Sequence, residues 1–350
     1  MKHRDVCSIV PPYVLSRLAE SDDPDLRQRA RQAVALSERL RGRRPAFAGL
    51  IGAAVPAGVK RRTVFDARHG TNLPGTLVRS EDGPPSPDRA VEQAFGGAGD
   101  TYEFFKAAFG RNSLDDRGMR LDSTVHYGVE FNNAFWDGRQ MVYGDGDGTI
   151  FKEFTSCLEV IGHELTHGVT SFEADLTYHD QPGALNESMS DVFGSLAKQW
   201  HFGQTASGAD WLIGAGLLGP RIKGVALRSM KAPGTAYDDP LLGTDPQPAH
   251  MKHFVKTTDD DGGVHINSGI PNHAFYLAAI AIGGPAWEKA GAIWYDALTG
   301  HLRPNSGFQA AADATVMAAR IRFGTGSREE SAVQGAWDSV GLTARAVLTT

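Results

Sequence analysis

The stretch Cys157-Leu158-Glu159-Val160-Ile161-Gly162-His163-Glu164-Leu165-Thr166-His167-Gly168-Val169-Thr170-Ser171 decides how the rest of the chain is read. Its apolar residues recur at helical spacing, which predicts a helix over 156–171. On that helix His163 and His167 lie four apart, one turn above each other on one face. Two imidazoles stacked this way can each offer a ring nitrogen to one zinc ion, at roughly 2.0–2.1 Å. Glu164 is turned by about 100° around the axis, too far to join them as a ligand. It is placed to take a proton from a water beside the ion, which is the mechanical sense of the H-E-x-x-H pattern.

A zinc site of this kind needs a third protein ligand and an open fourth position. Gly183-Ala184-Leu185-Asn186-Glu187-Ser188-Met189-Ser190-Asp191 supplies the candidates. Leu185, Met189, Val192, Phe193 and Leu196 share one face of a second predicted helix, while Glu187 and Asp191 lie four apart on another. Glu187 fits the ligand role. Asp191 and Asn186 then fit as acceptors for the far ring nitrogens of the two histidines, fixing their tautomers.

These motifs carry a resemblance. Together with Asn132-Asn133-Ala134-Phe135-Trp136, Met141 to Gly148, Leu227-Arg228-Ser229-Met230 and Gly262-Gly263-Val264-His265-Ile266-Asn267-Ser268-Gly269, the chain resembles the thermolysin family of zinc endopeptidases from about Phe65 to Leu342. The amino-terminal Pro11-Pro12-Tyr13-Val14-Leu15 is similar to the protealysin-like branch, whose precursors carry a short propeptide. The resemblance implies an α+β fold of two lobes, strand-rich then all-α, with the zinc helix between them and one catalytic zinc ion. The expected parts are 1–50 as a propeptide-like extension with a linker to about 62, a strand-rich lobe over 63–155, the zinc helix over 156–171 and a helical lobe over 172–350.

The resemblance also assigns roles. Asn133 and Ala134 orient the substrate backbone from an edge strand, so register comes from main-chain bonds. Tyr178 and His265 bind the carbonyl oxyanion, Asp260 orients the His265 ring, and Arg228 grips the carbonyl of the residue after the cut. Phe151, Val160 and Leu227 match the pocket for that residue, implying cleavage before bulky apolar side chains. Glu164 is the base that passes its proton to the leaving amine. Implied partners are protein or peptide substrates, the chain's own propeptide and a proteinaceous inhibitor. Rival readings are a catalytically silent zinc protein, against which the intact Glu164 argues, and an exopeptidase, for which no amine-capturing motif is present.

One departure has consequences. Where the family holds two calcium ions on carboxylates beside the cleft, this chain has Glu159 and Asp210, but Lys198, Leu212 and Ala215 replace acidic ligands. An ammonium cannot share a site with a divalent cation, and calcium needs 6–8 oxygens. Calcium is therefore not expected at that double site.

At the amino end, Asp23-Pro24 reads as a helix start, with Leu26, Ala30, Ala33, Val34 and Leu40 at helical spacing and a basic run, Arg39 to Arg44, at its end. Arg43 to Arg62 carries no period and reads as the processing region. Two devices could close the cleft: Pro11-Pro12-Tyr13 packing into it, the favoured one, or the Cys7 thiolate at the open zinc position. Short strands are predicted over Thr63–Ala67, Gly75–Arg79, Thr124–Val129 and Gln140–Tyr143, and a helix over Ala90–Phe109. Asp145 and Asp147 with their glycines read as a tight turn, because the other positions of a calcium loop are missing. Later helices are predicted over Pro271–Ile282, Pro285–Leu298, Phe308–Ile321 and Ser327–Val340. His250 and His253 read as ordinary histidines.

The global numbers agree with such a chain. With 350 residues, 41% apolar content and net charge −6, it can bury a large core and lacks the basic stripe of a nucleic-acid binder. No apolar run approaches the ~18 residues of a membrane span. Lys2, His3, Arg4, Asp5 and the Pro-Pro pair leave no signal-peptide core. The resemblance nevertheless implies secretion, with residence in the cytoplasm as the alternative. Two cysteines, Cys7 and Cys157, rule out a disulfide scaffold.

Overall fold

The computed structural model of the chain describes residues 7–41 and 59–345. The expected processing region from Arg43 to Arg62 falls mostly on 42–58, outside the described residues, as does the end of the basic run at Gly42–Arg44. The H-E-x-x-H stretch forms helix α4 (Leu158–Phe172), which starts two residues later than expected because Cys157 is extended, with φ −114°. The Gly183–Asp191 stretch lies in helix α5 (Asp180–His201). Both helices are buried on almost every side, so they form the centre of the molecule rather than its surface.

Glycine sets how closely those two helices approach. A Cβ on Gly194 would stand 2.4 Å from the Glu159 carbonyl oxygen and 2.8 Å from the His163 nitrogen, and one on Gly162 would stand 3.0 Å from the Gly194 Cα. Real side chains do not tolerate such contacts. Backbone therefore packs on backbone, and this brings the side chains of Glu187 and Asp191 within reach of the two histidines.

Ahead of the helix pair lies a six-stranded mixed sheet, in the spatial order β1 (Cys7–Ser8), β5 (Ala134–Trp136), β6 (Met141–Tyr143), β4 (Leu121–Val125), β2 (Arg62–Asp66) and β3 (Thr76–Ser80). The β2–β4 and β4–β6 pairs are parallel; the others are antiparallel. Strand β4 stops before the expected Val129 because His126 takes a left-handed conformation, φ 53°. Helix α3 (Arg89–Phe109) packs on this sheet and on α4; the Asp88 carboxylate accepts from the Ala90 and Val91 amides at its start. One expectation needs correction. Strand β5, read as an edge, is not one: β1 covers it antiparallel, with Cys7 opposite Trp136 and Ser8 opposite Phe135.

The amino-terminal segment continues into α1 (Pro12–Leu18) and α2 (Pro24–Arg41). Each of these two helices begins on a proline, which its missing N–H and fixed φ favour at that position. Their apolar stripes, Val14, Leu15 and Leu18 with Leu26, Ala30 and Ala33, are buried in the main core. The segment is tied to the body by Arg29–Glu130 (3.0 Å) and Arg221–Asp23 (3.3 Å) pairs.

The carboxy-terminal part is helical: α6 (Asp260–Asn267), α7 (Gly269–Ile282), α8 (Ala290–Asp296), α9 (Phe308–Phe323) and α10 (Arg328–Ser339). It is not all-α. Two short ladders, β7 (Leu212–Ile213) with β8 (Arg228–Ser229) and β9 (Asp238–Asp239) with β10 (Gly243–Thr244), interrupt it. Helix α8 starts well after the expected Pro285, because Gly291 donates to the Ala286 carbonyl across a wider turn. Cys7 and Cys157 are both buried, and no disulfide joins them.

Candidate active site

Helices α4 and α5 bring three donors together. The Nε2 atoms of His163 and His167 are 3.1 Å apart. The Glu187 oxygens lie 3.5 Å from the first and 3.4 Å from the second. Ligands at about 2.0–2.1 Å from a tetrahedral ion stand roughly 3.3 Å from one another, so this triangle fits zinc. Among the described residues, these three are the group of His, Cys, Asp or Glu side chains able to hold a metal ion. Their protonation suits a cation as well. Burial pushes the His167 pKa down to about 4, against the pull of the Glu187 charge, leaving a neutral imidazole. Burial opposes ionisation of Glu187, but the histidines around it and Arg228 bring its pKa to about 2.

The far ring nitrogens are also held. His163 Nδ1 is 2.8 Å from Asp191 Oδ1, and His167 Nδ1 is 2.9 Å from Asn186 Oδ1. Ser190 Oγ adds a contact to His167 Nδ1 at 3.1 Å; it sits inside the second motif, one residue before Asp191, yet the sequence pattern gave it no role.

Glu164 is fully buried beside the triangle. Its Oε2 accepts from the Trp136 amide of β5 at 2.9 Å. Burial, and then the charge of Glu187, push its pKa well above the usual carboxylate range. A backbone amide leaves no trace in residue identity, so this contact was invisible in the sequence.

Opposite stands His265. Its Nδ1 is 2.6 Å from Asp260 Oδ1, and its amide donates to Asp260 Oδ2 at 2.9 Å. Four consecutive left-handed residues, from Asp260 at φ 54° to Gly263 at φ 79°, fold that carboxylate back over the ring. Burial lowers the His265 pKa, but the charges of Glu187 and Asp260 outweigh it and raise the pKa to about 9. Its Nε2 donates to the Ser8 carbonyl at 3.0 Å. The Tyr178 hydroxyl donates to Glu187 Oε1 and lies 3.4 Å from His265 Nε2.

The remaining backbone-binding candidates all meet the amino-terminal segment that follows β1. Ile9 N donates to the Ala134 carbonyl (3.1 Å), and Val10 N donates to Asn133 Oδ1 (3.0 Å). Asn133 Nδ2 reaches the Val10 carbonyl (3.4 Å), and Arg228 Nη1 donates to the Ile9 carbonyl (3.1 Å). Arg228 does more than the sequence suggested: its Nε and Nη2 also form a forked pair with Asp191, both at 2.8 Å. Phe151, Val160 and Leu227 are buried in the main core with Ile9 and Val10.

Two expectations about how the cleft is closed are revised. The hydrogen bonds into it come from Ser8, Ile9 and Val10, whereas Pro11, Pro12 and Tyr13 begin α1. Cys7 is not in the metal-holding group; it packs with Tyr178 and Val264. Tyr13 is half-buried near Tyr237, Asp260 and Asp245; desolvation first, and then those neighbours, raise its pKa well above normal. Asp147 forms the tight turn, its Oδ1 accepting from the Thr149 and Ile150 amides at 2.8 and 2.7 Å. Lys198 Nζ lies 2.8 Å from Asp210 and 3.4 Å from Glu159.

Comparison with known proteins bears on this arrangement. Residues 57–171 match the thermolysin metallopeptidase catalytic domain and residues 174–342 match the thermolysin metallopeptidase alpha-helical domain. The chain is 51% identical to an extracellular metalloprotease of Pectobacterium carotovorum subsp. carotovorum over 349 residues, covering 99% of each. It is 41% identical over 287 residues to thermolysin of Alicyclobacillus acidocaldarius, covering 79% of this chain and 50% of that one. Among solved structures, the precursor of protealysin, a metalloproteinase from Serratia proteamaculans, superposes with a TM-score of 0.89 at 51% identity, covering 96% of this chain and 100% of that one.

Proposed function

The chain belongs to the thermolysin family of metallopeptidases, and from that premise we propose a zinc endopeptidase made as a precursor, its amino-terminal strand lying where the substrate must go. The family makes it a peptide hydrolase. His163, His167 and Glu187 would hold the zinc ion, which when bound supplies Lewis-acid polarisation and brings the pKa of a water toward about 7.

The chain's own residues do the rest. Glu164, fixed by the Trp136 amide, takes the proton of the attacking water and returns it to the leaving amine. Its buried position favours the neutral acid once the proton is on it. His265, kept protonated and aimed by Asp260, donates to the oxygen that becomes negative as the carbonyl is attacked; Tyr178 adds a second donor. Asn133, Ala134 and Arg228 fix the backbone on either side of the cut.

The observation that carries the precursor reading is the set of bonds to Ser8, Ile9 and Val10. This segment takes from β5, Asn133, Arg228 and His265 the bonds that the reaction needs for a substrate backbone. Residues 1–50, with a linker to about 62, would then be the removable part, leaving the lobes over 63–155 and 172–350 on either side of the zinc helix. Mass spectrometry of the amino terminus, run beside a peptide-cleavage assay, tests this. Activity should appear as the first 43–62 residues are lost. Equal rates for intact and shortened chains would end the propeptide reading.

Three finer points follow from the same proposal. Buried Phe151, Val160 and Leu227 support cleavage before bulky apolar residues, which the new termini of cut peptides will read directly. The relative described as an extracellular metalloprotease supports secretion. The Lys198 ammonium between Asp210 and Glu159 supplies the positive charge there, and Glu159 Oε1 is further occupied by the Gly214 and Ala215 amides at 3.1 and 3.3 Å. Calcium is accordingly not needed: a calcium chelator that leaves zinc in place should shift the melting temperature by less than ~2 °C.

A further inference from the structure

Asp191 is the most heavily bonded carboxylate of the active site, and one of its partners has no role in the reading above. Its Oδ1 meets His163 Nδ1 and Arg228 Nη2, both at 2.8 Å. Its Oδ2 accepts from Arg228 Nε and from Asn272 Nδ2, again both at 2.8 Å. All four residues are buried. They come from four elements: α4, α5, β8 and, through Asn272, the first turn of α7.

We propose that Asn272 is a positioning residue of the active site, the fourth donor that locks the plane of the Asp191 carboxylate and, through it, both His163 and Arg228. This rests on the peptidase reading, and in particular on His163 as a zinc ligand.

The argument is one of geometry and charge. With two donors on each oxygen the carboxylate cannot turn about its Cβ–Cγ bond without breaking a bond. Remove Asn272 and Oδ2 keeps only Arg228 Nε, so the carboxylate is held by a guanidinium that must also serve the cleft carbonyl bonded to its Nη1. The donor is neutral. A cation there would draw charge from Asp191 and weaken the histidine it supports, whereas an amide fixes direction without that cost.

The side chain has little other reason to be an amide. Its Nδ2 is bonded to Asp191, and its buried Oδ1 meets no protein donor among the described residues. An apolar residue of the same shape would be the simpler occupant of this turn, since a buried polar atom without a protein partner is a liability. The amide orientation is fixed by its neighbour, because turning Oδ1 toward Asp191 would set acceptor against acceptor.

The test measures zinc affinity of the full chain by competition with a chelator, in Asn272→Leu, Asp191→Asn and the double variant. Outer partners of metal-bound histidines are worth about 10–100-fold in affinity, and a residue one bond further out should be worth roughly fivefold to tenfold. Asn272→Leu should therefore weaken zinc binding roughly fivefold to tenfold in the native background and by less than about twofold when Asp191 is already Asn. Unchanged affinity in Asn272→Leu overturns the inference. So does an equal loss in both backgrounds, which is what a merely structural role would give. If Asp191→Asn itself leaves zinc affinity intact, the inference falls; if His163→Ala does, the ligand reading of His163 falls and this inference with it. Asn272→Ala, which adds no atoms, replaces the leucine variant if that chain does not fold, with the same outcomes deciding.

Discussion

His265 and His126 are held in nearly the same way and do different work. At His265, burial is overcome by the charges of Glu187 and Asp260, and the pKa rises to about 9. At His126, the hydrogen bond with Asp145 comes first, burial opposes it, Asp88 adds to it, and the result is again about 9. The difference lies in the second ring nitrogen. Asp145 sits on His126 Nδ1 at 2.9 Å and Asp88 on Nε2 at 2.9 Å, so both N–H groups are spent inside the protein. His265 gives one nitrogen to Asp260 and turns the other to the cleft, where it donates to the Ser8 carbonyl. A raised pKa marks both sites; an N–H left for a ligand marks the one we propose acts on the substrate. An open groove of about 1110 Å³ runs beside His126, with Asp88, Asp145 and Lys152 on its walls.

The largest effect expected in the cleft comes from Glu164→Gln, which keeps shape and the acceptor for the Trp136 amide but removes the base. Peptide hydrolysis should fall by about 10³-fold or more, with melting temperature and zinc content unchanged. Proteolysis at the native rate would move the activity to another site and leave a silent zinc protein. No groove variant should approach that loss.

The paired substitutions Asp260→Asn and Asp88→Asn sharpen the contrast. Asn also tolerates the left-handed backbone at 260, so the first variant isolates the charge. His265 then loses an anion that raises its pKa, and the alkaline limb of the rate profile should move to lower pH. A fall in kcat/KM of about 10²-fold is expected. Asp88→Asn should leave kcat/KM within about twofold and change only stability. Equal kinetic losses from both would erase the distinction between the two histidines.

Much of this was readable because the informative spacing is local. His163, Glu164 and His167 lie within one helical turn and a half, and Asn186, Glu187 and Asp191 within another, so periodicity alone places His163 with His167 on one face and Glu187 with Asp191 on another. Non-local pairings could not be read. Cys7–Ser8 is too short to carry a period, yet it covers β5 from more than a hundred residues away. Trp136 acts on Glu164 through its backbone, and Asn272 meets Asp191 across 81 positions. The Gly162–Gly194 approach that sets the site's dimensions is likewise a meeting of two helices, not a property of either. The short ladders within the helical part, two residues per strand, lie below what pattern can resolve.

His126 provides the smallest and most specific test. Around it stand Asp88 from the start of α3, Asp145 from the turn after β6, and His69, whose Nδ1 is 3.5 Å from Asp145. Its folded pKa of about 9 lies above the ordinary 6.5. The folded state therefore holds a proton that the unfolded chain releases first. The resulting stability is fully present below pH 6.5 and is lost as pH rises through 9. Holding a proton tenfold more tightly is worth about 1.4 kcal/mol, but Asp88 is partly open to solvent, so about 1–3 kcal/mol is expected in all. His126→Gln should cost that much at about pH 6 and nothing measurable at about pH 10, where the native imidazole is neutral too. Denaturant unfolding at the two pH values reads the difference, and kcat/KM should stay within about twofold at both. A loss of stability that persists at the alkaline pH would mean that shape, not charge, is what His126 contributes. A loss of activity without a loss of stability would make the groove part of the catalytic machinery.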